Sequence, residues 1–329
     1  MDLVPLCIIG LGRVGAGNLT LAGDLPMSHL AAATDHGGYD IVRLIDKDRK
    51  SRERVQHENE NLRNCISSDL VEIGELKGGV VVIATPSDTH ATVVEEIIAA
   101  GPALVILEKP LADNLEAAQK IVSMLQKAKI QVRVNFHRRF DPRIQKWRAE
   151  RPMAKAITCH YGKGLGNYAS HLIDLLMDWY GDVESVCALG PSKPDVSPES
   201  NLSFGIRMAA GFDAVFHGLG GLEYDLCEMD IQGDSSQLVL RAGGAEIVAF
   251  TPEPDRHYQG YTHLAEHECD RGPVSGFREL YGAVHRHMNN EEPLGGCNGD
   301  AALINMQVLD AALVSAQNGG RTIAIAQHH

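Results

Sequence analysis

Short runs of β-branched and aliphatic residues at 6–9, 41–45, 80–83, 104–107 and 131–134 recur through the first part of the chain, each bounded by glycine, proline or polar positions. Between the later runs the apolar residues take a helical period. Residues 87–100 put Val93, Val94, Ile97 and Ile98 on one face and stop at Gly101. The next helix is expected to begin at Asp113, with Glu116 as a capping-box partner and Ile121, Val122 and Leu125 turned inward. Strands alternating with helices predict an α/β domain with a doubly wound parallel sheet.

The pattern changes near position 135. Strand-like runs follow at 156–159, 183–189, 202–208, 214–217, 226–232 and 237–240, interrupted by one strong helix at 171–180 that Gly181 ends. Helices near 276–288 and 300–316 precede a last strand at 321–326. This succession predicts an α+β domain on a large, mostly antiparallel open sheet, and a division of the chain into residues 1–134 and 135–329. The stretches 190–200, with three prolines, and 251–261 read as exposed loops.

The first strand runs directly into Gly10-Leu11-Gly12-Arg13-Val14-Gly15, followed by a segment able to start a helix. In that setting Gly10 permits a tight turn, Gly12 lets a pyrophosphate approach the backbone, and Gly15 lets the helix pack close to the strand. The spacing is that of a Rossmann dinucleotide turn. The second strand ends at Asp46, whose carboxylate can accept from both ribose hydroxyls and would repel a 2′-phosphate, which favours NAD; Lys47, Arg49 and Lys50 follow at once and leave NADP open. The separation of Gly15 from Asp46 exceeds the usual spacing of roughly 20 residues. The surplus is expected in an extension of the first crossover at 23–38.

Composition narrows the functional classes. The 329 residues are 44% apolar, enough for a core in each of two domains. The formal charge of −13 is spread along the chain, and basic clusters occur only at 47–54 and 138–151, so a nucleic-acid surface is not expected. No apolar stretch approaches the roughly 20 residues that span a bilayer, and the N-terminus lacks a basic, apolar leader. The seven cysteines form no C-x-x-C pair and read as reduced thiols, giving a cytoplasmic expectation. His328 and His329 are set aside as terminal residues of tag type.

Three further segments carry a resemblance: Val82-Ile83-Ala84-Thr85-Pro86-Ser87-Asp88-Thr89-His90, Leu107-Glu108-Lys109-Pro110-Leu111, and Asn135-Phe136-His137-Arg138-Arg139-Phe140-Asp141-Pro142. Their order and spacing, with the ending around Asp300-Ala301-Ala302 and Ser315, resemble the Gfo/Idh/MocA oxidoreductases, a family named for glucose-fructose oxidoreductase and inositol dehydrogenase. Each motif falls at the carboxyl end of an expected strand, where open α/β sheets bind ligands. The resemblance implies cofactor contacts at Arg13, Val14, Lys47, Thr85, Pro86, Ser87, His90, Glu108, Lys109, Asn135 and His137, in addition to Gly10, Gly12, Gly15 and Asp46. It implies that Lys109 lies beside the nicotinamide and the substrate hydroxyl.

The segment from Gly162 to Leu176 resembles the family's catalytic helix, with His171 as the acid/base group. Helical spacing puts His171, Asp174 and Asp178 on one stripe, and Asn167 stands where it can cap the same turn. Many sugar dehydrogenases of the family carry an aspartate where this chain has Asn167. An amide cannot relay a proton, so acid/base work is expected to fall on His171 with Lys109, and Asn167 to orient the substrate or the imidazole.

The resemblance thus implies an NAD(P)-dependent enzyme acting on a secondary hydroxyl of a sugar or nucleotide-sugar, assembled as a homodimer or homotetramer. Two alternatives stay open: reduction of a C=N or C=C bond, and NAD binding without turnover by a regulator. His263, His267 and Cys269 have zinc-ligand types at helical spacing, but a loop or helix start near the substrate or a subunit contact fits them better, and no metal is expected. His285 and His287 would diverge on a helix. The arginines between 138 and 151 fit interdomain and cofactor contacts better than an RNA patch.

Overall fold

A computed structural model describes residues 3–17, 20–21, 25–190 and 195–326. Parts of the surplus at 23–38 and of the loop at 190–200, together with His328 and His329, lie outside the described residues. The chain forms two compact units: residues 1–142 with 275–306, and residues 143–274 with 307–329. The change of pattern at 135 marks a change of sheet type, whereas packing returns 275–306 to the first unit.

The first unit holds a six-stranded sheet in the spatial order Ile66–Ser67, Tyr39–Ile45, Val4–Ile9, Val80–Ile83, Leu104–Leu107, Gln131–Val134. All its pairings are parallel. Every residue of Val80–Ile83 and Leu104–Leu107 is buried, as expected for central parallel strands covered on both faces. The doubly wound expectation is borne out.

The surplus in the first crossover takes a defined form. The helix after the glycine turn is only Arg13–Ala16; a two-stranded ribbon, Thr20–Leu21 with Leu25–Pro26, follows it. A second helix, His29–His36, then completes the crossover, capped by Ser28 Oγ on the Ala31 amide and closed by Gly37 at φ +71°. The returning helix Gly276–Met288 adds Phe277, Leu280, Tyr281 and Val284 to this unit's core beside Leu30, Ala33 and Tyr39.

Two boundaries move for local reasons. The helix expected at Asp113 is Leu115–Ala128, and its cap is Asn114, whose Oδ1 accepts from the Ala117 amide at 2.9 Å. Asn and Asp cap equally well, so the pair Asp113-Asn114 left the choice to the backbone. Replacing Asn114 by Ala should lower unfolding free energy by about 1 kcal/mol, read from urea denaturation, while Asp113→Ala should leave it nearly unchanged. The expected helix at 87–100 is α-helical only over His90–Ile97, with 3₁₀ turns at each end.

The second unit is built on a nine-stranded sheet in the order Thr262–Arg271, Glu246–Pro254, Gln237–Arg241, Cys227–Gly233, Ala154–Tyr161, Asp213–Gly218, Phe204–Met208, Val183–Ala188, Ile323–Ala324. Its pairings are antiparallel except Ala154–Tyr161 with Asp213–Gly218. One face carries the buried residues Ile157, Cys159, Tyr161, Phe204 and Phe216, the last two stacked at 4.6 Å. Helix Ser170–Tyr180 packs against strand Cys227–Gly233 and buries Trp179 to 1% exposure.

The loop expected at 251–261 shrinks to 255–261, because Glu246–Pro254 and Thr262–Arg271 form a long hairpin at the sheet edge. Thr262–Arg271 is half-buried or exposed at every position, so no alternation of apolar and polar residues announces it. The strand also removes the helical spacing of His263 and His267. Four positions of strand separate their Cα atoms by roughly 13 Å.

Candidate active site

The glycine turn is shaped by its surroundings. Gly10 sits at φ +92°, and a Cβ there would lie 2.6 Å from the Ala84 carbonyl. A Cβ on Gly15 would lie 1.8 Å from the Gly10 oxygen. Both positions are closed by the protein itself. Around Gly12 a Cβ would meet nothing within 4 Å, so packing does not require glycine there. An open backbone face at the start of a helix, whose first amides have no intrahelical partner, suits a pyrophosphate.

Asp46 closes the turn from the second strand. Its Oδ2 accepts from the Leu11 amide at 2.6 Å and its Oδ1 from the Asp48 amide at 2.8 Å. The neighbouring cations are partly committed. Arg52 donates to the carbonyls of Asp46 and Lys47, Arg54 to those of Leu11 and Ala16, and Arg49 pairs with Glu53. Lys47 is exposed beside Asp46. Gly10, Asp46, Lys47, Thr85, Pro86 and Thr89 line an open pocket with Ser68, Leu70 and Val93. The sequence reading missed Ser68, Leu70 and Val93 as lining residues; Ser68 and Leu70 follow the edge strand Ile66–Ser67, where there is no motif, and Val93 lies in helix His90–Ile97 beyond the end of the motif.

The remaining motifs hang from the ends of the ladder. The Ala84 amide donates to Ile9, the Glu108 amide to Ile83 and the Asn135 amide to Leu107. Thr89 Oγ1 reaches Thr85 Oγ1 at 2.8 Å and the Pro86 carbonyl at 2.7 Å, pinning the Thr85-Pro86 turn above half-buried Ser87. His90 is 1% exposed, with Nδ1 3.1 Å from the Leu111 carbonyl and Nε2 2.9 Å from the Thr85 carbonyl. It brackets two motif loops, and both ring nitrogens are engaged with backbone. Burial lowers its pKa, outweighing the two carbonyl contacts.

Lys109 follows Glu108 and precedes Pro110 across a cis peptide bond. The Glu108 carboxylate accepts from Asn135 Nδ2 at 2.6 Å, from His29 Nε2 at 3.0 Å and from the Lys109 amide at 3.3 Å. Burial pushes this carboxyl upward, yet its hydrogen bonds from His29 and Asn135 and the nearby charges leave it below the ordinary glutamate value. Asn135 is 2% exposed and its Oδ1 has no hydrogen-bond partner among the described residues, a buried acceptor suited to an amide donor. His29 and Tyr281 were absent from the sequence reading, which saw no motif at either.

His137 packs at 5.3 Å from the Phe277 ring. Burial, with Arg138 adding and Glu108 opposing, holds its pKa down at about 3 against an ordinary 6.5. The unfolded chain binds a proton that the folded one rejects between those values, so this contribution favours folding above about 6.5 and is lost as pH falls toward 3. His137→Gln is expected to flatten that part of the stability curve in urea titrations at stepped pH. An unchanged slope would show that burial does not strain the imidazole.

In the second unit, residues 164–169 form a π-helical turn that runs into Ser170–Tyr180. The turn is clamped by backbone bonds from Leu165 to Ser200 and from Gly166 to Pro198, and by Gly164 donating to Asn201 Oδ1. Single π turns occur disproportionately at functional sites. Asn167 stands exposed within it. The helix cap is Ala169 without a side-chain bond, so Asn167 does not cap; its carbonyl accepts from Ser170 Oγ at 2.8 Å. His171 is buried at 7% exposure and Asp174 at 1%, while Asp178 pairs with Arg148 at 2.9 Å. The expected stripe therefore divides into two buried groups and one surface ion pair.

All seven cysteines are free thiols, and no helix among the described residues is long and apolar enough to cross a membrane. Residues 7–136 match the profile described as "Oxidoreductase family, NAD-binding Rossmann fold". The rhizopine catabolism protein MocA of Rhizobium meliloti is 29% identical over 148 residues, 45% of this chain and 42% of that protein. An inositol 2-dehydrogenase of Rubrobacter xylanophilus is 35% identical over 134 residues, 40% of this chain and 34% of that protein. The matched stretches thus span less than half of these relatives' lengths. The WlbA dehydrogenase of Bordetella pertussis, solved with NADH and UDP-GlcNAcA, superposes over 99% of both chains at 18% identity with a TM-score of 0.76. That likeness concerns the fold. The matched segment carries the glycine turn, Asp46 and the Glu108-Lys109-Pro110 and Asn135-Phe136 motifs described above, and over residues 7–136 the chain matches the NAD-binding Rossmann fold of the Gfo/Idh/MocA oxidoreductases.

Proposed function

We propose that this protein is an NAD-dependent dehydrogenase acting on a secondary hydroxyl, or the corresponding ketone, of a sugar or nucleotide-sugar. The observation that carries the reading is the open face at Gly12 on the sheet edge that also presents Asp46, Thr85-Pro86 and Glu108-Lys109. Asp46 favours NAD, since its carboxylate would repel a 2′-phosphate. The bound nicotinamide supplies a hydride acceptor or donor at C4. Lys109 hydrogen-bonds the reacting oxygen and stabilises its developing negative charge, and His171 is the general base that takes the hydroxyl proton. Asn167 orients the substrate.

The complexes of related chains with UDP-GlcNAcA and the inositol dehydrogenase relatives support a polyhydroxylated substrate. The test incubates the protein with NAD⁺ or NADP⁺ and a panel of inositols, uronates and UDP-linked sugars, following the absorbance of reduced nicotinamide. Reduction of NAD⁺ by one panel member supports the reading. The exposed amide at Asn167, where an aspartate would assist proton removal, favours the second reading of a regulator that binds without turnover. Tight NADH binding with no hydride transfer to any member or its ketone would select it.

A further inference from the structure

The first unit contains a buried polar chain that the proposed chemistry does not use. His29 is fully buried, and its two nitrogens face different partners: Nε2 lies 3.0 Å from Glu108 Oε1 and Nδ1 lies 3.0 Å from the Tyr281 hydroxyl. Tyr281 is itself fully buried, with its carbonyl accepting from Tyr39 Oη at 2.6 Å. Phe277 closes one side of the imidazole edge-on at 5.1 Å. The chain ends blind, with no solvent contact at His29 or Tyr281, so it cannot pass protons through the protein.

We propose that His29 and Tyr281 are positioning residues that hold Glu108 as an anchored carboxylate beneath Lys109. An ionised carboxylate only accepts, so the imidazole must carry its hydrogen on Nε2, and the Tyr281 hydroxyl completes Nδ1. Glu108 then receives three donors, His29, Asn135 and the Lys109 amide, which fix both oxygens and the strand end that bears Lys109. Burial keeps the Tyr281 phenol far above its ordinary range, so it remains a hydroxyl at every working pH. Glu108 is also faced by His137 and His90, and the charge of Lys109 itself reaches His137. The chain joins helix His29–His36, delivered by the extended crossover, to helix Gly276–Met288, which returns from the far end of the sequence. Both insertions therefore converge on one carboxylate.

This inference rests on the role given to Lys109 above, but its first test needs no substrate. Two-bond ¹H–¹⁵N spectra of the full chain should place a hydrogen on His29 Nε2, and in Tyr281→Phe the hydrogen should stay there while the Nδ1 resonance moves as it loses its hydroxyl donor. Carboxyl ¹³C titration should find Glu108 below the ordinary glutamate range in the native chain. In His29→Leu the burial of Glu108 is opposed by fewer donors, Asn135 and the Lys109 amide, and its titration should rise by on the order of 2 pH units. His29→Gln, whose amide can still donate, should reverse most of that rise. With a substrate from the panel, His29→Leu should lower kcat about 100-fold, with the acid limb of the pH profile moved to higher pH. A merely structural loss would lower activity equally at every pH. A hydrogen on Nδ1 alone, or a Glu108 titration unmoved in His29→Leu, overturns the proposal. If that variant does not fold, Tyr281→Phe, which removes only an oxygen, decides it: an Nδ1 resonance unmoved by loss of the hydroxyl overturns the proposal. Wild-type turnover in Lys109→Met would instead refute the reading of Lys109 and leave the tautomer and titration results standing.

Discussion

Lys109→Met and His171→Ala should each lower kcat by about 10²- to 10⁴-fold, while the affinity for NADH, followed by quenching of its fluorescence, stays within a few-fold of native. The two losses have different physical origins. Methionine keeps the length of Lys109 but removes the charge that opposes a developing alkoxide. On the proposed mechanism alanine at 171 removes the proton acceptor, and the 7% exposure of His171 means that little solvent is at hand to replace it. The pH dependence separates them further, because loss of a general base deletes one limb of the rate profile, whereas loss of an electrostatic partner lowers its whole height. Near-native rates in either single variant would sink the dehydrogenase assignment for that residue.

The glycine turn offers the second large effect. Gly12→Ala should weaken NADH binding about 10- to 100-fold and leave thermal stability unchanged, because the added methyl meets no protein atom within 4 Å and intrudes only where a pyrophosphate would lie. Gly15→Ala should behave differently. Its methyl would stand 1.8 Å from the Gly10 oxygen, so the helix must separate from the strand, costing on the order of 3 kcal/mol in stability as well as binding. Calorimetry and NADH titration on the two variants report this contrast directly. A destabilised Gly12→Ala with native affinity would show that the open face is not the dinucleotide's.

Much of the first sheet was legible because its signals are local. Val80–Ile83, Leu104–Leu107 and Gln131–Val134 occupy the expected positions, since a buried parallel strand reads as a short apolar run between turn residues. The motifs that follow them could be placed for the same reason, each being only a few residues beyond a strand. The edge hairpin Glu246–Pro254 and Thr262–Arg271 was not legible: the outer strand is half-buried or exposed throughout and its partner is buried only at Ile247 and Val248, so there is no alternation to detect, and the pairing is decided by its neighbours.

Sequence by itself determined the parallel sheet, the glycine turn, the acidic strand end at Asp46 and the family likeness of residues 7–136, because these depend on period, turn chemistry and spacing within a few tens of residues. Tertiary structure alone decided that residues 275–306 return to the first unit, that Asn167 occupies an exposed π turn and does not cap the helix, and that His90 braces two loops from within. It also decided what surrounds the Glu108-Lys109-Pro110 motif. His29 and Tyr281 are 252 residues apart and meet only because a lengthened crossover and a returning helix pack on the same sheet edge. A buried carboxylate needs donors wherever the chain can supply them, and no local pattern in the sequence records where they come from.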